Sequence, residues 1–477
     1  MVGHFIAGGA DVASRVISTC RESRVGPSPP STKFMTHDIV FAVAKAFLAG
    51  VFEPQGMAAR AASALGHPWR WLPPLARRVE SYFRGSTRPR LNDLVQILLL
   101  DSGFETARQR HDARLHVATW ITEPPMMQPA SAASGWDVPQ LETITELAAW
   151  LEITPSELEW FAGLKHYFRR PRIAGQLRHY RYRILKKTSG NLRLIEAPKP
   201  RLKAIQRKIL AGILNAIPPH DATHGFRKGR SIRSFTAPHS NRQVVVKMDL
   251  QDFFPSIHRA RVQALFRTAG YPEAVAGLLG GLCTTVSPRE IWRTARECDR
   301  HQLPDSRSLY ATPHLPQGAP TSPAIANLCA FRVDCRLLAL AKSAGATYTR
   351  YADDLAFSGG HEFARSASRF SLHAASILIE EGFEVHHRKT RIMRQGVRQQ
   401  LAGLVVNHQP NIRRADYDTL KAILTNCVRN SPTTQNRDAH PDFRAHLDGR
   451  VAFVESIHPI HGAKLRAIFN RIDWTAG

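Results

Sequence analysis

The run Val244-Val-Val-Lys-Met248 is too apolar for a surface strand, and it ends on a carboxylate, Asp249. A short valine-rich segment of this kind reads as a strand covered on both faces. A carboxylate at the end of such a strand is costly unless a positive group pairs with it. Whatever fold the chain adopts must therefore bring positive charge to that point. The chain continues Leu250-Gln-Asp-Phe-Phe-Pro-Ser-Ile257, and Ser256 is expected to cap a helix with Val262, Leu265 and Phe266 on one side.

Two later segments add to this. In Ala346-Thr-Tyr-Thr-Arg-Tyr-Ala-Asp-Asp-Leu-Ala-Phe-Ser358, two β-prone arms flank Asp353-Asp354, which places the acids at the bend of a hairpin. Alone, an Asp-Asp turn has no meaning. Between the two lies Leu315-Pro-Gln-Gly-Ala-Pro-Thr-Ser-Pro-Ala-Ile-Ala-Asn-Leu328. There Gly318 and Ala319 permit close approach to the backbone, and Thr321 or Ser322 is expected to cap the following helix.

The order of strand-end acid, Gln-Gly-Ala-Pro loop and Tyr-Ala-Asp-Asp hairpin resembles the palm of a reverse transcriptase, over about residues 138–477. The flanks agree with that resemblance. Arg193-Leu-Ile-Glu-Ala-Pro-Lys-Pro-Arg-Leu-Lys-Ala-Ile-Gln-Arg207 and His224-Gly-Phe-Arg-Lys-Gly-Arg-Ser-Ile232 look like fingers elements, and Gly382-Phe-Glu-Val-His-His-Arg-Lys-Thr-Arg391 like the strand-and-lysine element after the active hairpin. The resemblance implies an α+β right-hand polymerase fold, with fingers, an antiparallel palm sheet and a helical thumb. It implies RNA-directed DNA synthesis with two Mg2+ ions, for which Mn2+ can substitute. Asp249, Asp353 and Asp354 would be the catalytic and metal-binding acids, with the Leu250 carbonyl as a further ligand. Hard cations favour such oxygen donors. Arg193, Phe254, Gln317, Gly318 and Lys389 would face the nucleotide. Phe254 reads as ordinary aromatic core or, by resemblance, as a ring excluding a ribose 2′-hydroxyl, and Lys389 as a solvated lysine or a contact to the leaving pyrophosphate. Leu401, Ala402, Gly403 and Leu404 would form the primer grip.

Within that family the chain is most similar to bacterial retron enzymes, through Gln317-Gly-Ala-Pro-Thr-Ser-Pro323, Leu404-Val-Val-Asn407 and the tail from His446 to Trp474. These enzymes commonly carry Asn-Ala-x-x-His and Val-Thr-Gly motifs. Here His239 is present, Phe235 and Thr236 replace Asn and Ala, and the grip reads Leu401-Ala402-Gly403. The expected partners are a structured non-coding RNA as template and primer, the RNA–DNA product, dNTPs, and an effector or toxin protein in antiphage defence; an oligomer is possible. A template-independent or protein-primed defence polymerase and a non-catalytic RNA-binding scaffold are the other readings.

Charge points the same way. Sixty-five Lys and Arg against 39 Asp and Glu give +26, which suits a polyanionic partner. The apolar runs Ile39 to Phe52 and Leu94 to Leu100 are broken by Lys45 and Gln96 and fall short of the ~20 residues of a membrane span. Six cysteines form no C-x-x-C pair, and a cytoplasmic setting without membrane contact is expected. The organisation reads as a flexible tail (1–34), a helical region (35–122) with Thr36 as a possible first cap, a linker (123–137), fingers and palm (138–399), then grip and thumb (400–477). Ile39, Val43, Phe47 and Leu48, and Leu91, Leu94, Leu98 and Leu99, recur at helical spacing, whereas Tyr182–Leu185 and Leu192–Ile195 read as a hairpin.

Overall fold

A computed structural model describes residues 32–83, 89–111, 114–121, 126–163, 178–186, 192–288, 290–292 and 307–475. The expected tail before Thr32, the start of the expected linker and residues 187–191 between the two arms of the expected hairpin lie outside the described residues. The chain divides into two compact units, Met1–Pro124 and Pro125–Gly477.

The first unit is helical: Thr32–Leu48, Pro54–Ala64, Leu72–Tyr82, Leu91–Leu100 and Ser102–His111. Ile39, Val43, Phe47, Leu94 and Leu98 are buried with Met57, Leu72, Leu75, Val79 and Phe104, as the spacing predicts, whereas Leu99 faces outward. The first helix already begins at Thr32, so Thr36 lies inside it rather than at its start. Its carbonyl end is closed by Arg60, which donates to Ala46 O (2.8 Å), Phe47 O (2.9 Å) and Val51 O (2.9 Å). A cation there satisfies carbonyls that have no partner within the helix.

The second unit is α+β. Its central antiparallel sheet runs in the order β4-β5-β3-β6, with β3 Val244–Gln251, β4 Ala346–Tyr351, β5 Asp354–Gly359 and β6 Glu384–Val385; β7, Arg391–Arg394, also pairs with β3. β1 (Tyr180–Lys186) and β2 (Leu192–Pro198) form a separate antiparallel hairpin leading into the helix Pro200–Gly212. Helices Ile144–Leu151 and Pro155–Ala162 start with Thr143 and Thr154 capping boxes. Of the stretch read as a linker, residues 126–137 lie on the helical layer: Gln128 N donates to Gly270 O (2.8 Å) and Ala130 N to Thr268 O (3.0 Å). Among the described residues, no helix is long and apolar enough to cross a membrane.

The side-chain period of two sorts β3 into two faces. Val244, Val246, Met248 and Leu250 enter the main core with Leu355 and Phe357 of β5 and Tyr348 of β4. Val245 enters a smaller cluster on the other face with Phe235, Ala356, Leu401 and Val406. Lys247 and Asp249 follow Val245 on that second face, by the same alternation. The helix after β3 spans Arg259–Thr268 and buries Val262 and Phe266, but its cap position is His258. Ser256 instead donates to Phe253 O (2.9 Å), because the chain makes a turn before the helix starts.

Helices Arg414–Asn430, Phe443–Ile457 and Pro459–Phe469 close the chain around Leu420, Leu424, Leu447, Val451 and Leu465, with Trp474 packed against them.

Candidate active site

β3 and β5 are antiparallel with Asp249 opposite Asp354, and Asp353 occupies the turn between β4 and β5. The Leu250 amide donates to the Asp353 carbonyl (2.9 Å), so the backbone of Leu250 adjoins that turn. Acids 104 residues or more apart in the chain thereby meet at one end of the sheet.

The positive charge demanded by the buried strand is supplied by two lysines. Lys389 Nζ donates to Asp249 Oδ1 at 2.9 Å. Lys247 Nζ lies 2.9 Å from Asp354 Oδ1, an atom that is buried and has no donor aligned on it as a hydrogen bond. Asp353 has its pKa raised, first by burial and then by the charges of Asp354 and Asp249. Among the described residues, no three His, Cys, Asp or Glu side chains already form a cation cage. The donor set nevertheless suits hard divalent cations. It consists of carboxylates that repel one another, and a cation among them would remove that repulsion.

The turn itself is held from below. Ala352 adopts a left-handed φ of 55°, costly for a residue with a Cβ. Arg350, fully buried, donates from Nη1 to Ala352 O (3.1 Å). Its other N–H groups reach Asp334 Oδ1 (2.8 Å) and Oδ2 (2.7 Å), Asn327 Oδ1 (3.1 Å) and Thr223 Oγ1 (3.0 Å). Tyr348 donates to Asp334 Oδ1 at 2.7 Å. From the side, Gly225 presses on the turn: a Cβ there would stand 2.7 Å from Ala352 N. Behind the hairpin, His239 is buried between Ser358 Oγ on Nδ1 (2.7 Å) and Thr349 Oγ1 on Nε2 (2.7 Å). Thr349 donates its own proton to Phe235 O (3.0 Å), so Nε2 carries the imidazole hydrogen. Burial, then Arg242 and His224, lower the His239 pKa to about 3, which keeps the ring neutral.

Phe254 is half-buried, its ring 5.7 Å from Phe253 and 6.4 Å from Phe226. Phe226, half-exposed with φ 56°, also lies 6.4 Å from Tyr351, which makes an aromatic wall beside the acids. The Gln317 carbonyl accepts from Glu196 N of β2 (2.8 Å), and Gly318, φ 130°, lies so close to that strand that a Cβ on it would stand 3.2 Å from Glu196 O. Arg193 is exposed three residues earlier on β2. Burial, Asp252 and Glu196 push the Tyr310 pKa up, and Arg193 opposes them, so β2 and the segment after Asp249 converge on that ring. Ser322 does not cap with its side chain; its hydroxyl holds Pro316 O at 2.6 Å, and the helix Ser322–Cys329 starts after Thr321 without a side-chain cap.

Ala402 and Gly403 form a two-residue hairpin turn between β8 (Gln400–Leu401) and β9 (Leu404–Val405), with φ 45° at Ala402 and 87° at Gly403 and Leu401 paired with Leu404. Both positive angles fit the turn that matches strand twist. Leu401 shares its cluster with Phe235, so two of the positions that depart from the common retron motifs pack in one place. A cavity of about 370 Å³ opens beside the turn, lined by Ala402, Gly403, Asp416, His446, Arg450 and Phe453, among others. Of the cations on the final helices, Arg413, Arg414 and Arg466 are engaged by Asp416, Asp418 and the Glu455/Asp448 pair. Lys421, Arg429, Arg450, Lys464 and Arg471 have no acidic partner among the described residues.

Sequence reasoning missed Lys247, Arg350, Asp334 and Gly225 as supports of the acids. It also missed a buried pair, Glu196 and His314, at 2.9 Å, with Ser287 Oγ on the other carboxylate oxygen at 2.6 Å. For Lys247 a signal existed: it stands two residues before Asp249, hence on its face.

Residues 184–412 match the family model described as reverse transcriptase (RNA-dependent DNA polymerase). The chain is 41% identical over 307 residues to the retron Mx65 reverse transcriptase of Myxococcus xanthus, covering 63% of this chain and 66% of that protein. It is 36% identical over 351 residues to the retron Mx162 reverse transcriptase of the same organism, covering 71% and 68%. With the retron Ec86 reverse transcriptase of Escherichia coli the figures are 30% over 248 residues, 51% and 69%.

Proposed function

The chain belongs to the bacterial retron reverse transcriptase family, and on that premise we propose that it is an RNA-directed DNA polymerase that copies a structured non-coding RNA into cDNA. The β3–β5 register, which sets Asp249 against Asp354 with Asp353 in the adjoining turn, carries this reading. Asp249 and Asp353, with Asp354 and the Leu250 carbonyl beside them, are the groups that would hold two Mg2+ ions. Bound there, the ions supply activation of the primer 3′-hydroxyl and charge neutralisation on the triphosphate.

The chain's own residues do the positioning. The Phe254 ring, backed by Phe226, closes the space a 2′-hydroxyl needs and selects deoxynucleotides. Arg193 offers charge-assisted bonds to the triphosphate, and the Gln317-Gly318 loop lies against the same strand. The Leu401–Leu404 turn holds the primer end, and the cations on the last three helices neutralise phosphates, giving tight, salt-sensitive binding. In this reading the β1–β2 hairpin with its helix is the fingers, the five-stranded sheet the palm and the final helices the thumb. The reading extends to a cytoplasmic antiphage role, with an RNA–DNA product guarding an effector.

The test is primer extension by the purified chain with Mg2+, a primed RNA and dNTPs, next to Asp353→Asn. Extension that Asp353→Asn abolishes supports the polymerase. No extension from either protein leaves an RNA-binding scaffold. Product DNA unrelated to any co-purifying RNA points to template-independent synthesis.

A further inference from the structure

The two lysines on the acids are placed by the fold rather than by chance side-chain reach. Lys247 pairs across the strands with Ala356, which puts it diagonal to Asp354 on the face it shares with Asp249. Lys389 ends a short turn, His387–Lys389, whose preceding residue anchors it to β3: His386 N donates to Asp249 O at 2.8 Å. The side chains differ in freedom. Lys247 is 23% exposed and Lys389 48%.

We propose that Lys389 and Lys247 are built-in counter-ions of the candidate metal site, Lys389 a displaceable placeholder on Asp249 and Lys247 a fixed partner that reserves Asp354. This rests on the two-metal reading above. Three carboxylates against two ammonium groups leave one net negative charge. Two divalent ions arriving alone would turn this into three positive charges at close range, which is unfavourable where water is partly excluded. A nucleoside triphosphate arriving with them brings about four negative charges and restores the balance. The lysines therefore couple metal loading to the presence of substrate. Lys389, long and half-exposed, is the one free to leave Asp249 for the triphosphate. Lys247, on a central strand, stays, so Asp249 and Asp353 are left as the acids that meet the ions directly.

The test is Mn2+ binding to the full chain, followed by the spin resonance of free Mn2+, with and without a non-hydrolysable dNTP analogue. The set comprises wild type, Lys389→Met, Lys247→Met, Lys247→Arg and Asp353→Asn, each checked by thermal melting. Without nucleotide, Lys389→Met and Lys247→Met should bind Mn2+ more tightly than wild type, on the order of tenfold, and melt lower because a carboxylate has lost its cation. Lys247→Arg, which keeps the charge, should match wild type in both readouts and guards against a Met variant that fails to fold. The analogue should tighten Mn2+ binding strongly in wild type and little in Lys389→Met. Unchanged Mn2+ affinity in both Met variants, together with weakened affinity in Asp353→Asn, would overturn the placeholder role and leave the metal site standing. Indifference of Asp353→Asn as well would sink the two-metal reading itself.

Discussion

Replacing Asp334 by Asn tests whether the acids depend on the buried ion pair beneath their turn. Arg350 and Asp334 are both fully buried, and the five N–H groups of the guanidinium are all used: two on Asp334 and one each on Asn327, Thr223 and the Ala352 carbonyl. Asp334→Asn keeps the shape but leaves a buried cation without its anion and turns an amide N–H toward guanidinium donors. Breaking such a pair from one side costs roughly 3–5 kcal/mol, a large share of the ~5–15 kcal/mol by which proteins of this kind are stable. The urea midpoint should fall at an unchanged slope. Because Arg350 also holds the Ala352 carbonyl, the turn carrying Asp353 should loosen, and primer extension should drop by roughly 10²-fold, as misplaced catalytic groups do. The double variant Arg350→Met with Asp334→Leu separates the two effects. It removes both buried charges, so most of the stability should return, but it takes away the Arg350 donor to Ala352 O, and extension should stay low. A double variant that is stable and fully active would refute the claim that this pair positions the acids. So would an Asp334→Asn protein with wild-type midpoint and rate.

Three further outcomes follow from the same geometry. Phe254→Ala should raise ribonucleotide incorporation relative to deoxynucleotide by roughly tenfold or more, ~1.4 kcal/mol of lost discrimination; unchanged competition between dNTP and NTP would remove its gating role. Gly225→Ala should cost ~1–3 kcal/mol through overpacking against the Ala352 amide and slow extension, whereas Gly360→Ala, with open space around its Cβ position, should be close to neutral. His239, whose pKa falls from 6.5 to about 3 on folding, stabilises the protein fully above pH 6.5 and loses that contribution as pH falls toward 3. His239→Gln should flatten the decline of the urea midpoint between about pH 6.5 and 4.5; parallel wild-type and variant curves would contradict the buried neutral ring.

Much of this site could be read from residue order. The strand carrying Asp249, the β-prone arms around Asp353-Asp354 and the loop at Gln317-Gly318 stand where expected, because each is a local pattern of side-chain period and turn chemistry, although β3 continues past Asp249 to Gln251, where it pairs with β6. Caps were less legible. Ser256 and Ser322 both spend their hydroxyls on nearby carbonyls, since a Ser before a helix competes between several backbone partners. The Phe235 and Leu401 substitutions look unrelated 166 positions apart, yet they share one apolar cluster.

The primary structure alone determined that a buried strand must deliver a carboxylate to a charged place, and that two more acids lie at a tight hairpin, Asp353 in its turn and Asp354 at the start of its second strand. Short-range periodicity and turn preference encode both, and neither needs a distant partner. Tertiary structure decided which charges answer them. The pairing of Lys389 with Asp249 spans 140 positions, and His239 reaches Ser358 across 119. Such contacts follow from strand register and helix packing, in which a one-residue slip would turn every side chain to the opposite face.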